Sequence, residues 1–313
     1  MAIDEGQGLR VLITNDDGPP SAESPFIAQF VDSLKAIGWK PHVVLPDSQK
    51  SWISKSFMIN DEIKVSYYDA QNKTISIERH HEDDWTLLSG TPSTCVNIAL
   101  HHIHPDQDFD LVIAGPNFGR NSSTIYTLAS GTIGAAMDAA LCAKKAIALS
   151  FAFYDKDLHP DKIRNSCDMA IQVIQKLWME DKWPANGLFN INVPLVTEAC
   201  PVHMTTVHRN SYGSLFKPIG HPQQPSDRAA ENAPSNFAQP TDQSTNRPSS
   251  STEPIQRFVF APDFKSLVAS TAPPGTDAWA VANRYISGKR VVVVFCTHPI
   301  FMLFISDAAQ SIL

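Results

Sequence analysis

Two adjacent carboxylates, Asp16 and Asp17, follow a compact apolar run from Leu9 to Thr14 and precede Gly18. Like charges this close raise each other's pKa unless a cation neutralises them, and a divalent metal is the usual partner. The tetrapeptide Asn15-Asp16-Asp17-Gly18 also suits an ordinary turn, with Gly18 supplying a positive φ. Three other polar stretches close apolar runs: Pro46-Asp47 through Ser51, Ser89-Gly90-Thr91, and Gly115-Pro116-Asn117. Asn117 offers a neutral amide oxygen, and Ser48, Ser51 and Ser54 offer hydroxyls. Carboxylate, amide and hydroxyl oxygens together favour a hard cation such as Mg²⁺, Mn²⁺ or Ca²⁺ over zinc or copper. Ser130-Gly131-Thr132 opens a helical stretch rich in Ala and Gly, where unpaired amides and the positive end of the macrodipole favour an anion. Plain N-capping by Ser130 is the other reading, and the same duality holds for Ser89-Gly90-Thr91. Arg120 and Asn121 lie on the loop before Ser130, where an arginine is either a phosphate clamp or a solvated charge.

The elements that must position these groups follow from periodicity. Leu9 to Thr14 reads as a buried strand, Ser24 to Ile37 as an amphipathic helix ended by Gly38, and His42 to Leu45 as a second strand. A β-α-β opening implies a right-handed crossover and a parallel sheet. Phe57 to Tyr68 and Thr74 to Glu78 alternate polar and apolar residues, as in an exposed hairpin extension. Trp85 to Leu88 predicts a short strand, and Pro92 suits the first turn of a helix reaching about His102. Further strands are expected at Leu111 to Ala114, Ala146 to Phe151 and Leu188 to Val193, and helices at Ser130 to Ala143 and Ile163 to Trp178. The fold class is therefore α/β, and ligands in such sheets bind outside the carboxyl ends of the strands. Asp277-Ala278-Trp279 reads as an anchor late in the chain.

Composition narrows the function. The 313 residues suffice for one large α/β domain or a domain with an appendage, and 43% hydrophobic residues supply a core. A net charge of −7 disfavours a nucleic-acid surface built on charge. The five cysteines have no CxxC pair, which suits reduced thiols, with Cys95, Cys142 and Cys167 expected as buried packing residues. Met1 to Glu5 is acidic and is read as neither a signal nor a transit peptide. Val291 to Ile305 is too short to span a bilayer and is interrupted by Thr297, His298 and Pro299. A cytoplasmic protein without membrane partners is expected. His101, His102 and His104 are read as helix C-terminal charges rather than a metal tract. No GxSxG, GxGxxG or GxxxxGK[ST] motif is present, which leaves serine-hydrolase, dinucleotide and P-loop readings unsupported.

Taken together the motifs look familiar. Val11-Leu-Ile-Thr-Asn-Asp-Asp-Gly18 resembles the opening of the SurE-like survival-protein phosphatases. The same is true of Pro46-Asp47 with Ser51, Ser89-Gly-Thr-Pro92, Ala114-Gly-Pro-Asn117 with Gly119 and Asn121, and Ser130-Gly-Thr-Ile-Gly-Ala-Ala136. Order and spacing fit over roughly residues 9 to 210, and the Gly-Pro-Asn-Phe-Gly-Arg-Asn form is similar to fungal members, some described as acid phosphatases. The resemblance implies a three-layer, Rossmann-like, mostly parallel sheet with a β-hairpin extension. It implies a metal-dependent phosphomonoesterase acting on small phosphate monoesters, nucleoside 5′- or 3′-monophosphates among them. Carried over by motif, Asp16, Asp17, Ser51 and Asn117 would hold Mg²⁺ or Mn²⁺, Asp16 and Asp17 would be catalytic, and Ser130, Gly131 and Thr132 would contact phosphate, with Asn121 beside them. It also implies a homodimer or higher homo-oligomer.

The chain departs from the family pattern in places. Lys50 stands where an arginine is usual, and Thr124 and Leu128-Ala129 occupy the region where bacterial members carry Asp then Tyr. After Asp277-Ala-Trp-Ala280 the family ending is replaced by Ile286-Ser-Gly-Lys-Arg-Val-Val-Val-Val-Phe295, which reads as an atypical tail from Gly288, such as retained intron sequence. The expected organisation is a phosphatase core over 1–219, a disordered low-complexity insertion over 220–254, the rest of the domain over 255–287 and the tail over 288–313. The insertion also motivates a second reading, a non-catalytic phosphate- or nucleotide-binding module in an mRNA-associated assembly.

Overall fold

The computed structural model describes residues 8–219, 257–263 and 272–292. They belong to two compact units, Met1–Asn210 with Thr271–Leu313, and Ser211–Ser270. The first unit holds a ten-stranded sheet. Its strands are β1 (Arg10–Thr14), β2 (Lys40–Pro46), β3 (Val65–Asp69), β4 (Thr74–Ser76), β5 (Trp85–Leu88), β6 (Leu111–Phe118), β7 (Ala146–Ala152), β8 (Gly187–Pro194) and β9 (Val202–Met204). β10 (Phe216–Ile219) and β11 (Arg257–Phe260) form an antiparallel hairpin of the second unit, and β12 (Ile286–Val292) returns to the first. The order across the large sheet is β4-β3-β5-β2-β1-β6-β7-β8-β12-β9. From β5 through β8 neighbours run parallel, while β3, β4 and β12 pair antiparallel with β5, β3 and β8.

Alternation along β1 explains the layers. Val11 and Ile13 enter the core shared with α1 (Ile27–Ala36) and α5 (Pro160–Glu180), while Leu12 enters the opposite one. On α1, Ile27, Phe30, Val31 and Leu34 lie at helical spacing and are all buried; full burial of such a side chain contributes about 1.5–3 kcal/mol. The opposite face is covered by α2 (Pro92–Ile98) and α4 (Gly131–Leu141). The glycines and alanines of α4 keep its backbone close to the strands. Two short helices, α3 (Ser123–Ala129) and α6 (Asp277–Ala282), complete the unit. The mostly parallel α/β sheet agrees with the sequence expectation.

Several differences have physical causes. The hairpin is shorter than the alternating pattern predicts: β3 begins only at Val65, because β5 offers just four residues to pair with. Residues 57–62 are exposed and outside any strand. The helix expected to reach His102 ends as α2 at Ile98 and continues as a π-helical turn, Ala99–Ile103. Cys95 and Cys167 are buried, but Cys142 is only partly so, since it caps the exposed end of α4. β12 crosses Gly288, so the strand includes residues assigned to the atypical tail. There Lys289 is buried and its Nζ lies 2.5 Å from Asp277 Oδ2 and 3.0 Å from Thr127 Oγ1. The insertion expected over 220–254 and residues 293–313 lie outside the described residues. Among the described residues, no helix is long and apolar enough to cross a membrane.

Candidate active site

The end of β1 delivers Asn15, Asp16 and Asp17 to the carboxyl edge of the sheet, all buried. Asn15 shapes the turn. Its Oδ1 accepts from the Gly18 amide at 2.9 Å, and its Nδ2 donates to the Gly18 carbonyl at 2.9 Å. The side chain thereby replaces a backbone turn and fixes the two carboxylates that follow.

Asp16 is held by α4. Thr132 Oγ1 donates to Asp16 Oδ1 at 2.5 Å, and the amides of Gly131 and Thr132 favour the ionised form. Burial is nevertheless the larger influence and raises the Asp16 pKa. Asp17 Oδ2 accepts from the Phe118 amide at 2.6 Å. Its pKa is pushed well above the ordinary carboxylate value, first by burial and then by the charge of Asp16. Two buried, mutually repelling carboxylates, Asp16 against the first turn of α4 and Asp17 against the Phe118 amide of β6, form a strongly electron-rich corner.

Asn117 reaches the same corner through an irregularity in β6. The register with β7 shifts between Ala114 and Asn117, a bulge that re-aims the following side chains. Asn117 Nδ2 donates to the Gly119 carbonyl at 2.9 Å, which leaves its Oδ1 as the atom to offer a cation. Ser51 lies on the loop after β2, which the Lys50 amide ties to the Asp16 carbonyl at 2.7 Å. Ser51 is exposed, so its hydroxyl is open to a ligand. Asp16 and Asp17 after β1, Ser51 after β2 and Asn117 in the irregular last residues of β6 thus lie at the carboxyl ends of neighbouring strands. These donors fit a hard divalent ion: two carboxylates whose buried charge is uncompensated, an amide oxygen and a hydroxyl. Among the described residues no group of three or more His, Cys, Asp or Glu side chains forms a metal site, so any ion here depends on neutral oxygens as well.

The expected phosphate contacts are partly engaged elsewhere. Ser130 Oγ accepts from the Ile133 amide at 3.1 Å, an N-cap, and retains its own proton to donate. Thr132 is spent on Asp16. Asn121 is buried as a loop anchor: its amide donates to Asn192 Oδ1 at 2.7 Å, its Nδ2 to Ser150 Oγ at 2.9 Å, and its carbonyl accepts from Asn190 Nδ2 at 2.8 Å. Asn190 and Asn192 were not singled out from the sequence. The available signal was two polar residues spaced by two within an otherwise apolar buried strand. Asp277 does act as an anchor. It accepts from the amides of Ser123 and His208, at 2.9 Å each, and so fixes the start of α3.

With this geometry in place, the comparison with known families is direct. The family model described as Survival protein SurE matches residues 11–214. The chain belongs to the SurE family. A Saccharomyces cerevisiae protein named as a probable tubulin–tyrosine ligase is 35% identical over 242 residues, covering 66% of this chain and 32% of the yeast protein. A 5′-nucleotidase SurE of Xanthomonas campestris pv. campestris is 30% identical, and 5′-nucleotidase SurE 1 of Burkholderia lata 33%; each match covers 59% of this chain and 64% of the bacterial protein. The chain therefore spans about a third of the yeast relative and somewhat under two thirds of these bacterial SurE proteins. The crystal structure of the Aquifex aeolicus SurE protein superposes with a TM-score of 0.63 at 21% identity, over 92% of this chain and 95% of that one, and shows the same fold.

Proposed function

We propose that this SurE chain is a metal-dependent phosphomonoesterase, acting on small phosphate monoesters that include nucleoside monophosphates. The observation that carries this reading is the buried pair Asp16–Asp17, with Asp16 held by the first turn of α4 and Asp17 by the Phe118 amide beside Asn117, next to the Ser51 loop. Its relatives named as 5′-nucleotidases support the reaction class. Asp16, Asp17, Asn117 and Ser51 would hold Mg²⁺ or Mn²⁺. When bound, such an ion would supply charge neutralisation for the phosphate oxygens and acidify a water molecule.

The contribution of the chain's own groups follows from their bonds. Thr132 and two helix amides hold Asp16 in one orientation and favour its charge. Asp17 accepts from the Phe118 amide on Oδ2, which leaves Oδ1 as the oxygen that would face the ion. The Ser130 hydroxyl donates to a phosphate oxygen at the positive end of α4. In the reaction the oxygen of water bonds to phosphorus as the ester P–O bond breaks. The proton lost by that water ends on the departing alcohol, and inorganic phosphate is the second product.

The test is turnover of para-nitrophenyl phosphate by the purified protein with Mg²⁺, with Mn²⁺ and after chelation. Asp17→Asn should lower kcat by on the order of 10²-fold or more, and chelation should abolish turnover. Turnover unaffected by both treatments rejects the assignment.

A further inference from the structure

Building on the phosphomonoesterase reading, on which this inference rests, we propose that Lys289 of β12 is a positioning residue for the site. Through Asp277 and Thr127 it sets helix α3, and α3 sets both the Ser51 loop and Ser130. The side chains of Lys289 and Asp277 are 1% and 0% exposed, and Nζ lies 2.5 Å from Oδ2. Charges this deep are tolerated only where they are paired and hydrogen-bonded. Here the bonds converge on one element. Asp277 Oδ2 accepts from the Ser123 amide at 2.9 Å, and Lys289 Nζ donates to Thr127 Oγ1 at 3.0 Å. Ser123 and Thr127 are four positions apart on α3 and so share one face of it. The ion pair therefore grips α3 at two points, one turn apart. At the first of them Ser123 has a left-handed φ of 66°, a conformation that a bond from outside must hold. At the second, Thr127 Oγ1 in turn donates to the Asn121 carbonyl at 3.5 Å.

The other end of α3 meets the site. The Ser130 amide donates to the Tyr126 carbonyl at 3.0 Å, so the start of α4 follows directly from α3. The Ser54 amide donates to the Ala129 carbonyl at 2.9 Å, and Ser54 Oγ donates to the Leu128 carbonyl at 2.8 Å. These bonds hold the loop after β2 in a strained form, with left-handed φ values of 60° at Trp52 and 54° at Ser54. Lys55 Nζ, 2.7 Å from Asp138 Oδ1, ties the same loop to α4. A Cβ on Gly134 would lie 2.4 Å from the Ser54 carbonyl oxygen, so the loop rests directly on that helix. Ser51 and Ser130 thus both take their places from one short helix, whose buried residues are Ser123, Ile125 and Thr127. Only Ile125 among these is apolar, so the position of α3 depends on the polar grip on the other two.

The experiment follows metal and substrate together. Lys289→Met should raise the KM for para-nitrophenyl phosphate and the Mg²⁺ concentration for half-maximal turnover by about 10-fold each, with kcat less affected. Thr127→Val, which leaves the ion pair in place, should shift both constants in the same direction by a few-fold, and Thr127→Ser should restore them. A pair that only stabilises the fold would lower Tm and leave both constants at their wild-type values, and that result overturns the proposal. Because Lys289→Met leaves a buried carboxylate without its cation, a second variant combines it with Asp277→Asn. Recovered Tm with both constants still raised supports positioning, whereas recovery of the constants along with Tm overturns it. Isothermal titration with Mn²⁺ reads the metal without turnover. Affinity should fall about 10-fold in Lys289→Met even where no ester is hydrolysed, and unchanged affinity overturns the proposal. A wild-type protein that neither binds Mn²⁺ nor turns over substrate rejects the phosphomonoesterase reading itself, and the proposal with it.

Discussion

Strand β2 leads to a different region of the molecule at each end. At its start, Lys40 to Val43 line a cleft of about 280 Å³ together with Trp39, Arg79, Trp85 and His104. At its end, Pro46 leads into the Ser51 loop and the Asp16–Asp17 corner. The first is a well-formed cleft rich in titratable groups, yet two of its charges, Arg79 and Asp84, are satisfied within their own loop. Arg79 donates to the carbonyls of His81, Glu82 and Asp84, and Asp84 Oδ2 accepts from the amides of His80 and His81. At the other end, Asp16 meets a donor 116 positions away and Asp17 one 101 positions away. Local bonds of the first kind shape a loop. Long-range bonds to buried, destabilised carboxylates exist only because the whole sheet assembles them, and they are costly unless used. Distance along the chain to the satisfying partner separates the two regions better than cavity size does.

The largest test of this contrast combines metal and pH. The pKa values of Asp16 and Asp17 are raised in the folded protein. For an acid so shifted, stability is fully present below the unfolded value, about 3.9, and is lost as pH rises toward the folded value. In metal-free protein, Tm should therefore fall as pH rises through this window, and Mg²⁺ should restore it increasingly. Asp17→Asn should flatten the metal-free profile and remove the Mg²⁺ response, besides its loss of on the order of 10²-fold in kcat. A Tm gap between chelated and Mg²⁺-supplemented protein that does not vary with pH would break the comparison at its strongest point.

Thr132→Val comes next. It removes a hydrogen bond to a charged group while preserving shape, and such bonds contribute about 1.5–3 kcal/mol. With Asp16 freed to turn, kcat for para-nitrophenyl phosphate should drop by roughly 10-fold. If Thr132 contacts phosphate alone, KM should rise and kcat should hold. Lys55→Met should cost less in rate, a few-fold, and about 1–3 kcal/mol in stability by leaving Asp138 buried without its cation. Adding Asp138→Leu should recover stability in thermal melts but not the loop position, so the rate should remain low.

How far these arrangements can be read from the sequence depends on the same distinction. Strands and helices governed by local periodicity, such as β1, α1, α4, β7 and β8, lie within a few residues of where apolar spacing puts them. The acidic corner is legible because Asp16 and Asp17 are adjacent in the chain. The partner of Asp16 is not: Thr132 reads as a phosphate contact because nothing in its own neighbourhood shows that a carboxylate from β1 approaches it. Helix α3 has no apolar period of its own and is fixed by Asp277 from 154 positions away, so no local pattern reveals it. The strained Trp52 is invisible for a related reason, since its φ is imposed by Ala129, Leu128 and α4.

The smallest expected effect lies in the amino-end cleft. His104 packs edge to face on His42 and Phe109, with ring centroids 4.8 Å and 5.7 Å away. Burial, then His42 and Arg79, lowers its pKa to about 4. The ring is therefore neutral in the folded protein at neutral pH, whereas the unfolded chain takes up a proton near pH 6.5. Between these values the unfolded state binds more protons, so stability falls as pH drops from about 6.5 to about 4. His104→Phe removes that titration and keeps the aromatic contact, so its Tm should decline less over this range. Phosphatase turnover at neutral pH should be unchanged, because the cleft lies at the opposite end of β2 from the carboxylates. A His104→Phe protein with altered kcat would mean that the two ends of the strand are coupled, and local satisfaction of charge would no longer separate a structural region from a working one.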